Sequence, residues 1–488
     1  MILNNPLAII LVLLIVGISV AVTIFSRRFT RTTADFYVAG RGISAVQNAM
    51  ALSGDYMSAA TFLGIAGLVW LYGYDGIWYS VGFFGGWILL LLFLASPIRR
   101  FGAYTIADFV SGRFHSQKLR LVVMLGTILI SVLYIIPQLV GGGDILGFLL
   151  GWNYMTGVVV AGILMTIYVV VGGMKATTYN QIIQCVILWT AMFVTVALAL
   201  QQFGFSYDNL LTQVSGYTQP GNWLDFQNSF SLILGLVLGT AGLPHVLIRY
   251  YTNPSGKSAR WTTVGTLFII GTFYMMAPIA GFGARALLGD DGGLNTALPL
   301  LAQYLGGEAF LGVVVAAAFA AVLSTVAGLM LATTGAIAHD LYTNIINPKA
   351  SEEKQLKVAK LSTLGVGILA IIVGILAQGY NVAFLVGLAF AIAASSFFPV
   401  LLMGTWWRGT TEKGALAGLV VGIISSTTII ITNIIGLHNL SNPAIITVPA
   451  TFIIIYVVSR LDGQIPYDTD EFMLKVHMPG DENLEKLD

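Results

Sequence analysis

Residues 45–72 read AVQNAMALSGDYMSAATFLGIAGLVWLY, an apolar stretch interrupted at its middle by Gly54-Asp55-Tyr56-Met57-Ser58. About 20 residues of helix cross the hydrocarbon core of a bilayer, so this interruption falls at membrane depth. A carboxylate, two hydroxyls and a helix-weakening glycine survive there only where they face protein or a water-filled path. The segment is therefore a candidate functional site.

The rest of the chain supplies the membrane. Of 488 residues 57% are hydrophobic and 9% charged, with mean hydropathy +0.86, where a soluble domain carries roughly 25% charged residues. Apolar runs near 5–26, 45–72, 76–96, 120–149, 152–172, 179–202, 228–251, 262–288, 308–338, 358–378, 381–406, 413–436 and 443–459 predict thirteen spans. No Lys or Arg precedes the first run, while Arg27, Arg28 and Arg31 follow it. That is the reverse of a secretory leader, and it predicts an anchored helix with its N-terminus outside. Counting loops from there, Arg41, Arg99, Arg100, Arg113, Lys118, Arg120, Lys175, Arg249, Lys257 and Arg260 fall on the cytoplasmic side. So do Lys349, Lys354, Arg408, Lys413 and Arg460, and only Arg285 falls outside. Positive residues favour the cytoplasmic face, so N-out and C-in is the expected topology.

Several function classes are poorly supported. Cys185 is the single cysteine, the five histidines (His115, His245, His339, His438, His477) lack zinc-ligand spacing, and there is no phosphate-binding loop. A transporter drawing on an ion gradient fits better than an enzyme or an ATP-driven pump. Residues 461–488 carry eight acidic residues against Lys475 and Lys486 and read as a short solvated cytoplasmic tail, too short for a sensor domain.

Setting the first helix aside, spans two to six and seven to eleven form two blocks of five. An odd block repeated once returns inverted, a common construction of alternating-access transporters. The leading helix of each block is broken, the second span at Gly54-Asp55 and the seventh at Gly239-Thr240-Ala241-Gly242-Leu243-Pro244-His245. Proline removes a donor and crowds the preceding turn, and the glycines favour unwinding. Such breaks expose amides to anions and carbonyls to cations, although Gly and Pro also simply permit tight packing. The ninth span carries Ala320-Ala321-Val322-Leu323-Ser324-Thr325, whose hydroxyls either bond back to their own helix or bind a cation. Two carbonyls freed on the second span, the Ala321 carbonyl and these two hydroxyls make five neutral oxygens. That set suits sodium, whereas calcium normally takes several carboxylates.

Over nearly its full length the chain resembles the sodium/solute symporters. The diagnostic stretch is Gly151-x-x-Tyr154, small or apolar residues from Val158 to Ile167, then Tyr168-Val169-x-x-Gly172-Gly173-Met174-x-Ala176. Within that family it looks similar to the bacterial cation/acetate symporters. The matching segments are Gly54 to Ala60, Gly73-Tyr74-Asp75-Gly76, Gly239 to His245, His339-Asp340-Leu341-Tyr342 and Val386 to Ser395. The resemblance implies an all-α integral membrane protein with the leucine-transporter fold, a five-plus-five inverted repeat with extra helices at both ends. The single transporter domain would cover 1–460: an N-terminal helix and loop at 1–44, repeats at 45–202 and 228–406, and C-terminal helices at 413–460. It also implies secondary active transport, with sodium as the co-transported ion held by Gly54, Met57, Ala321, Ser324 and Thr325.

Ser58 and Thr61, three apart beyond the first break, Gln138 after Pro137 in the fourth span, and Thr240 in the second break are the candidate substrate contacts. Each equally suits ordinary interhelical hydrogen bonding. No Lys or Arg is expected near the midplane, so an anion would be held by hydroxyls, amides and helix ends. Asp55 either lends negative potential to the cation path, pairs with a distant polar group or changes protonation. Asp144 reads as interfacial. His245 and Arg249 read as an inner gate or, for Arg249, a positive-inside anchor. The expected partners are a small carboxylate solute and the lipid bilayer, with no nucleic acid, in a bacterial inner membrane. Sodium or proton coupling to proline, a sugar or another organic acid on the same scaffold is the alternative.

Overall fold

The computed structural model describes residues 6–27, 32–221 and 223–478, the side chains of residues 27, 168, 169, 171 and 172 excepted. Arg28 and Arg31, part of the topology argument above, and the end of the acidic tail with Lys486 lie outside the described residues. Among the described residues every regular element is helical. Eleven helices are long and apolar enough to cross a membrane, and Tyr154–Ile167 is a shorter apolar helix.

One of the eleven, Ala60–Phe101, runs 42 residues, roughly 63 Å at 1.5 Å per residue and about twice a bilayer core. It folds at the tight turn Gly73–Gly76. Gly73 adopts φ +63°, and a Cβ on Gly76 would lie 2.6 Å from the Val69 nitrogen, an approach only glycine permits. Gly173, at φ +73° and ψ 179°, likewise divides Tyr154–Gln201 into the fifth and sixth spans. Divided at these two folds, the described residues hold thirteen apolar helical segments, matching the number of apolar runs in the sequence.

The ninth span occupies the centre. Its helix Ala297–Thr334 is buried almost throughout from Leu311 onward, and the small side chains of Ala316, Ala317, Ala318, Ala320 and Ala321 allow neighbouring helices, chiefly Tyr154–Gln201 and Gln117–Leu150, to approach closely. The seventh span packs between the third and the eleventh. The first and the last two spans are peripheral, with many exposed apolar side chains such as Leu13, Ile424 and Ile453.

The beginning of the tail differs from the expected solvated segment. Thr469–His477 is an amphipathic helix whose buried Phe472 meets Phe101 and Phe109 at 5.7 and 5.6 Å between ring centroids. Arg113 donates to the Thr469 hydroxyl at 2.9 Å. Phe472 and Val476, four apart, form the apolar stripe that pins it.

Candidate cation and solute site

The second span begins at a capping box. The Ser44 hydroxyl accepts from Gln47 N and the Gln47 side chain accepts from Ser44 N, satisfying the first free amides of the helix Ala45–Tyr56. The helix stops at Met57, whose ψ of 69° turns the chain, and continues as a wide turn over Ala60–Gly64 and the helix Ile65–Tyr72.

The rerouted amides define what is freed. In an unbroken helix Ser58 N, Ala59 N and Thr61 N would reach the carbonyls of Gly54, Asp55 and Met57. Instead Ser58 N donates to Tyr56 O at 2.8 Å, Thr61 N to Ser58 O at 3.1 Å, and Ala59 N to the Gln138 amide oxygen at 3.1 Å. Three carbonyls are thereby released from the helical ladder. Ser324 Oγ donates to Gly54 O at 2.6 Å, and Thr325 Oγ1 donates to Asp55 O at 2.5 Å. The two hydroxyls therefore bond forward onto the broken span rather than back onto their own helix. The Asp55 backbone carbonyl is a member of this junction that sequence reasoning did not name.

Close approach holds the junction together. A Cβ on Gly54 would lie 2.2 Å from Gln181 O, and the Gln181 amide in turn donates to Ser324 O at 2.9 Å. A Cβ on Gly328, one turn beyond Ser324, would lie 2.5 Å from both Asp55 carboxylate oxygens.

The Asp55 side chain reaches Arg249, whose Nε lies 3.7 Å from Oδ2, both groups being 1% exposed. Arg249 also donates to the Thr178 hydroxyl at 2.8 Å. Arg249 is thus buried against the first break rather than exposed as an anchor would be, so a basic side chain lies beside a site expected to hold none: it extends back to the broken second span. Its spacing from the break, counted along its own span, concealed this.

The seventh span breaks where expected. The helix Phe226–Gly242 gives way to extended Leu243, and Pro244–Ile248 restarts with proline in its first turn. Thr240 Oγ1 meets Tyr56 Oη at 2.6 Å and Leu236 O at 2.8 Å, so the two breaks are directly joined. Tyr56 Oη also donates to Phe83 O at 2.9 Å.

The four candidate solute contacts separate in this geometry. Thr61 bonds back to Ser58 O at 2.9 Å and Thr240 is occupied as described. Gln138 Nε2 and both His245 ring nitrogens are buried with no hydrogen-bond partner, while Ser58 Oγ, Trp87 Nε1 and Tyr274 Oη are buried with no well-aligned one, facing Tyr134, Tyr56 and Thr61 respectively. The tyrosines and His245 belong to one aromatic shell. Tyr134 meets His245 at 5.3 Å and Phe390 at 5.5 Å, and Tyr56 meets Trp87 at 5.0 Å and Tyr274 at 6.2 Å. Tyr134, Tyr274 and Trp87 had no sequence signal, lying in unbroken helices.

The site is covered on the face bearing Asp75. That carboxylate accepts the backbone N–H groups of Gly221, Trp223 and Leu224 at 2.9, 2.6 and 3.1 Å, and Trp223 stacks on Tyr72 with centroids 4.3 Å apart. Asn381 donates to Gly64 O at 3.1 Å and to Leu294 O at 2.8 Å, tying the part of the second span beyond its break to the loop before the ninth. Asp144 is part of the same closure, accepting from Asn295 at 2.8 Å.

Comparison with known proteins agrees with this architecture. Residues 36–422 match the profile of the sodium:solute symporter family. A Bacillus subtilis (strain 168) protein described as the uncharacterized symporter YwcA is 42% identical over 499 residues, covering 96% of this chain and 97% of the relative. Among solved structures, the substrate-bound outward-open state of a Na+-coupled sialic acid symporter superposes with TM-score 0.78 at 18% identity, covering 93% of this chain and 98% of the other. Mhp1, a nucleobase-cation-symport-1 family transporter in a closed conformation with bromovinylhydantoin bound, gives TM-score 0.59 at 13% identity, covering 92% and 98%. At such identities these likenesses speak to the fold alone, which is that of the leucine-transporter group.

Proposed function

Because the chain belongs to the sodium:solute symporter family, we propose that it couples inward sodium movement to uptake of a small monocarboxylate such as acetate. The coarser statement stands without the proposal: this is a multi-pass sodium-coupled transporter and not an enzyme. In our reading the face rich in Arg and Lys is cytoplasmic, in a bacterial inner membrane.

The observation that carries the solute assignment is the pair of buried groups at the first break, Gln138 Nε2, which has no hydrogen-bond partner, and Ser58 Oγ, whose one polar neighbour is the Tyr134 hydroxyl. The Gln138 amide oxygen is already taken by Ala59 N, so what this side chain still offers is a donor. Two donors at a helix break match a carboxylate, and a buried polar group left without a partner costs about 1–3 kcal/mol. The close aromatic shell of Tyr56, Phe83, Tyr134 and Phe390 favours a solute of few atoms.

Sodium would bind the lone pairs of Ser324 and Thr325 with the carbonyls of Gly54, Met57 and Ala321. A hydroxyl that donates to a carbonyl retains acceptor capacity for a cation. Binding there stiffens the broken second span and with it Ser58, which links the ion to the solute. Asp55 and Arg249 set the field beneath the junction, and His245 lies on the solute path.

Thermal stabilisation in sodium, scanned across small solutes, tests this. Acetate and its near relatives raise the melting temperature in sodium and not in potassium, and Gln138→Leu weakens the carboxylate effect about tenfold, the value of one charge-assisted hydrogen bond, while keeping the response to sodium alone. Stabilisation by proline or a sugar with none by carboxylates would replace the solute assignment.

A further inference from the structure

The face opposite Asp75 carries a charge cluster that neither sodium nor solute binding uses. Thr105 caps the helix Ile106–Phe114, with Asp108 completing a capping box. Asp108 Oδ2 accepts from Tyr104 N and Thr105 N, both at 3.2 Å. Burial raises the carboxyl's pKa, but the hydrogen bond and charge of His339 together with the Arg120 guanidinium outweigh it and hold Asp108 well below the usual carboxylate range.

From this fixed point the network reaches two spans. Arg120, at the start of the fourth span Gln117–Leu150, donates through Nη1 to Asp108 Oδ1 at 2.6 Å and Asp340 Oδ1 at 3.0 Å, and through Nη2 to Ser111 Oγ at 2.7 Å. His339 Nε2 lies 3.0 Å from Asp108 Oδ2, and Thr105 Oγ1 donates to Asp340 Oδ1 at 2.8 Å. His339 and Asp340 sit on the wide turn Gly335–Ile346, which continues the helix that bears Ser324 and Thr325. The ligand atoms of Asp108, His339 and Asp340 lie within 4.8 Å of one another, a spacing a metal could use, but the Arg120 guanidinium already supplies the cation between the two carboxylates.

A narrow cavity of about 10 Å³, roughly the space for one water molecule, adjoins the cluster, lined by Tyr37, Tyr104, Thr105 and Asp340 as well as Pro244 and Ile248. It runs from the second helix break to the charge network. We propose that Arg120, Asp108, His339 and Asp340 form a latch that closes this path, and that they must separate for sodium and solute to leave through it.

The charge count gives the latch a pH dependence. Two carboxylates face one guanidinium; with both ionised the cluster is neutral when His339 is protonated and carries one negative charge when it is not, and Asp340, pushed up to about 7 by burial and the neighbouring Asp108, shares that titration. Tyr37 and Tyr104 flank the imidazole at 5.9 and 5.3 Å. Tyr251 reaches Thr105 O at 3.4 Å within the field of Arg41, Arg99, Asp108 and Asp340. Protonation of the imidazole tightens the latch, and deprotonation across the range where imidazoles titrate, roughly pH 6 to 8, loosens it.

The test reads accessibility, so it holds whichever solute is carried. In full-length protein with Cys185→Ala, the sole native cysteine removed, Ile248→Cys places a thiol in the cavity. Its modification rate by a membrane-impermeant maleimide is followed from this face. Arg120→Gln raises the rate about tenfold, a population shift of one decade, and Arg120→Lys returns it most of the way. Divided at each pH by the rate for the same thiol in denatured protein, which removes the rise in thiolate fraction, the parent rate still climbs from pH 6 to 8, and His339→Gln weakens that dependence. A rate indifferent to both Arg120→Gln and His339→Gln overturns the latch and leaves the cluster a static brace. If Arg120→Gln does not fold, the pH profile of His339→Gln decides alone.

Discussion

Ser324→Ala combined with Thr325→Ala is expected to abolish sodium-dependent uptake and the rise in melting temperature that sodium produces. The substitution removes two of the five oxygens assigned to the ion. It also strands the carbonyls of Gly54 and Asp55, which accept those hydroxyls at 2.6 and 2.5 Å, at about 1–3 kcal/mol for each buried acceptor left unpaired. A loss of sodium affinity on the order of 100-fold follows from roughly 1.4 kcal/mol per decade. The two effects do not add independently, since both hydroxyls grip the same broken segment. Thr325→Ser keeps the oxygen and is expected to retain most of the coupling. Sodium titration of the melting temperature checks the series, and an unchanged response in the double variant would remove the junction from the ion path.

The second large effect concerns Asp55 and Arg249. Arg249→Met leaves a carboxylate buried at 1% exposure without its cationic neighbour, and breaking a buried pair from one side typically costs about 3–5 kcal/mol. Asp55→Leu together with Arg249→Met removes both charges, and replacing a buried ion pair by apolar groups is often close to neutral. The expected pattern is a deep loss of thermal stability in the single variant, substantial recovery in the double variant, and no transport in either. A single variant as stable as the parent would mean that the 3.7 Å pair contributes little. Recovered transport in the double variant would show that the pair serves folding alone.

Much of this arrangement was legible in the chain because the signals are local. Gly54-Asp55 and Gly242-Leu243-Pro244 break helices by mechanisms contained within a few residues, and a Ser-Thr pair in an alanine-rich span is conspicuous. What escaped reading depends on distant segments coming together. Arg249 meets Asp55 across almost two hundred positions, and a count along the seventh span places it near an interface rather than at the first break. Asp108 and His339 lie further apart still, so a search for metal-ligand spacing passes over them. Tyr134 and Tyr274 occupy ordinary helices and acquire a role only from the rings they face. The Asp55 carbonyl became visible only when the amides were followed, because Met57 N still reaches Ser53 O at 2.8 Å while the next two amides do not continue the ladder.

Uptake of labelled acetate into proteoliposomes, with and without an inward sodium gradient, addresses the coupling directly. A membrane potential of 100 mV adds about 2.3 kcal/mol per charge moved, so an inside-negative potential should deepen accumulation further. The account predicts concentrative uptake that requires the sodium gradient and vanishes in the Ser324→Ala, Thr325→Ala variant. Uptake that proceeds equally without sodium, or that a proton gradient alone drives in that variant, would contradict it.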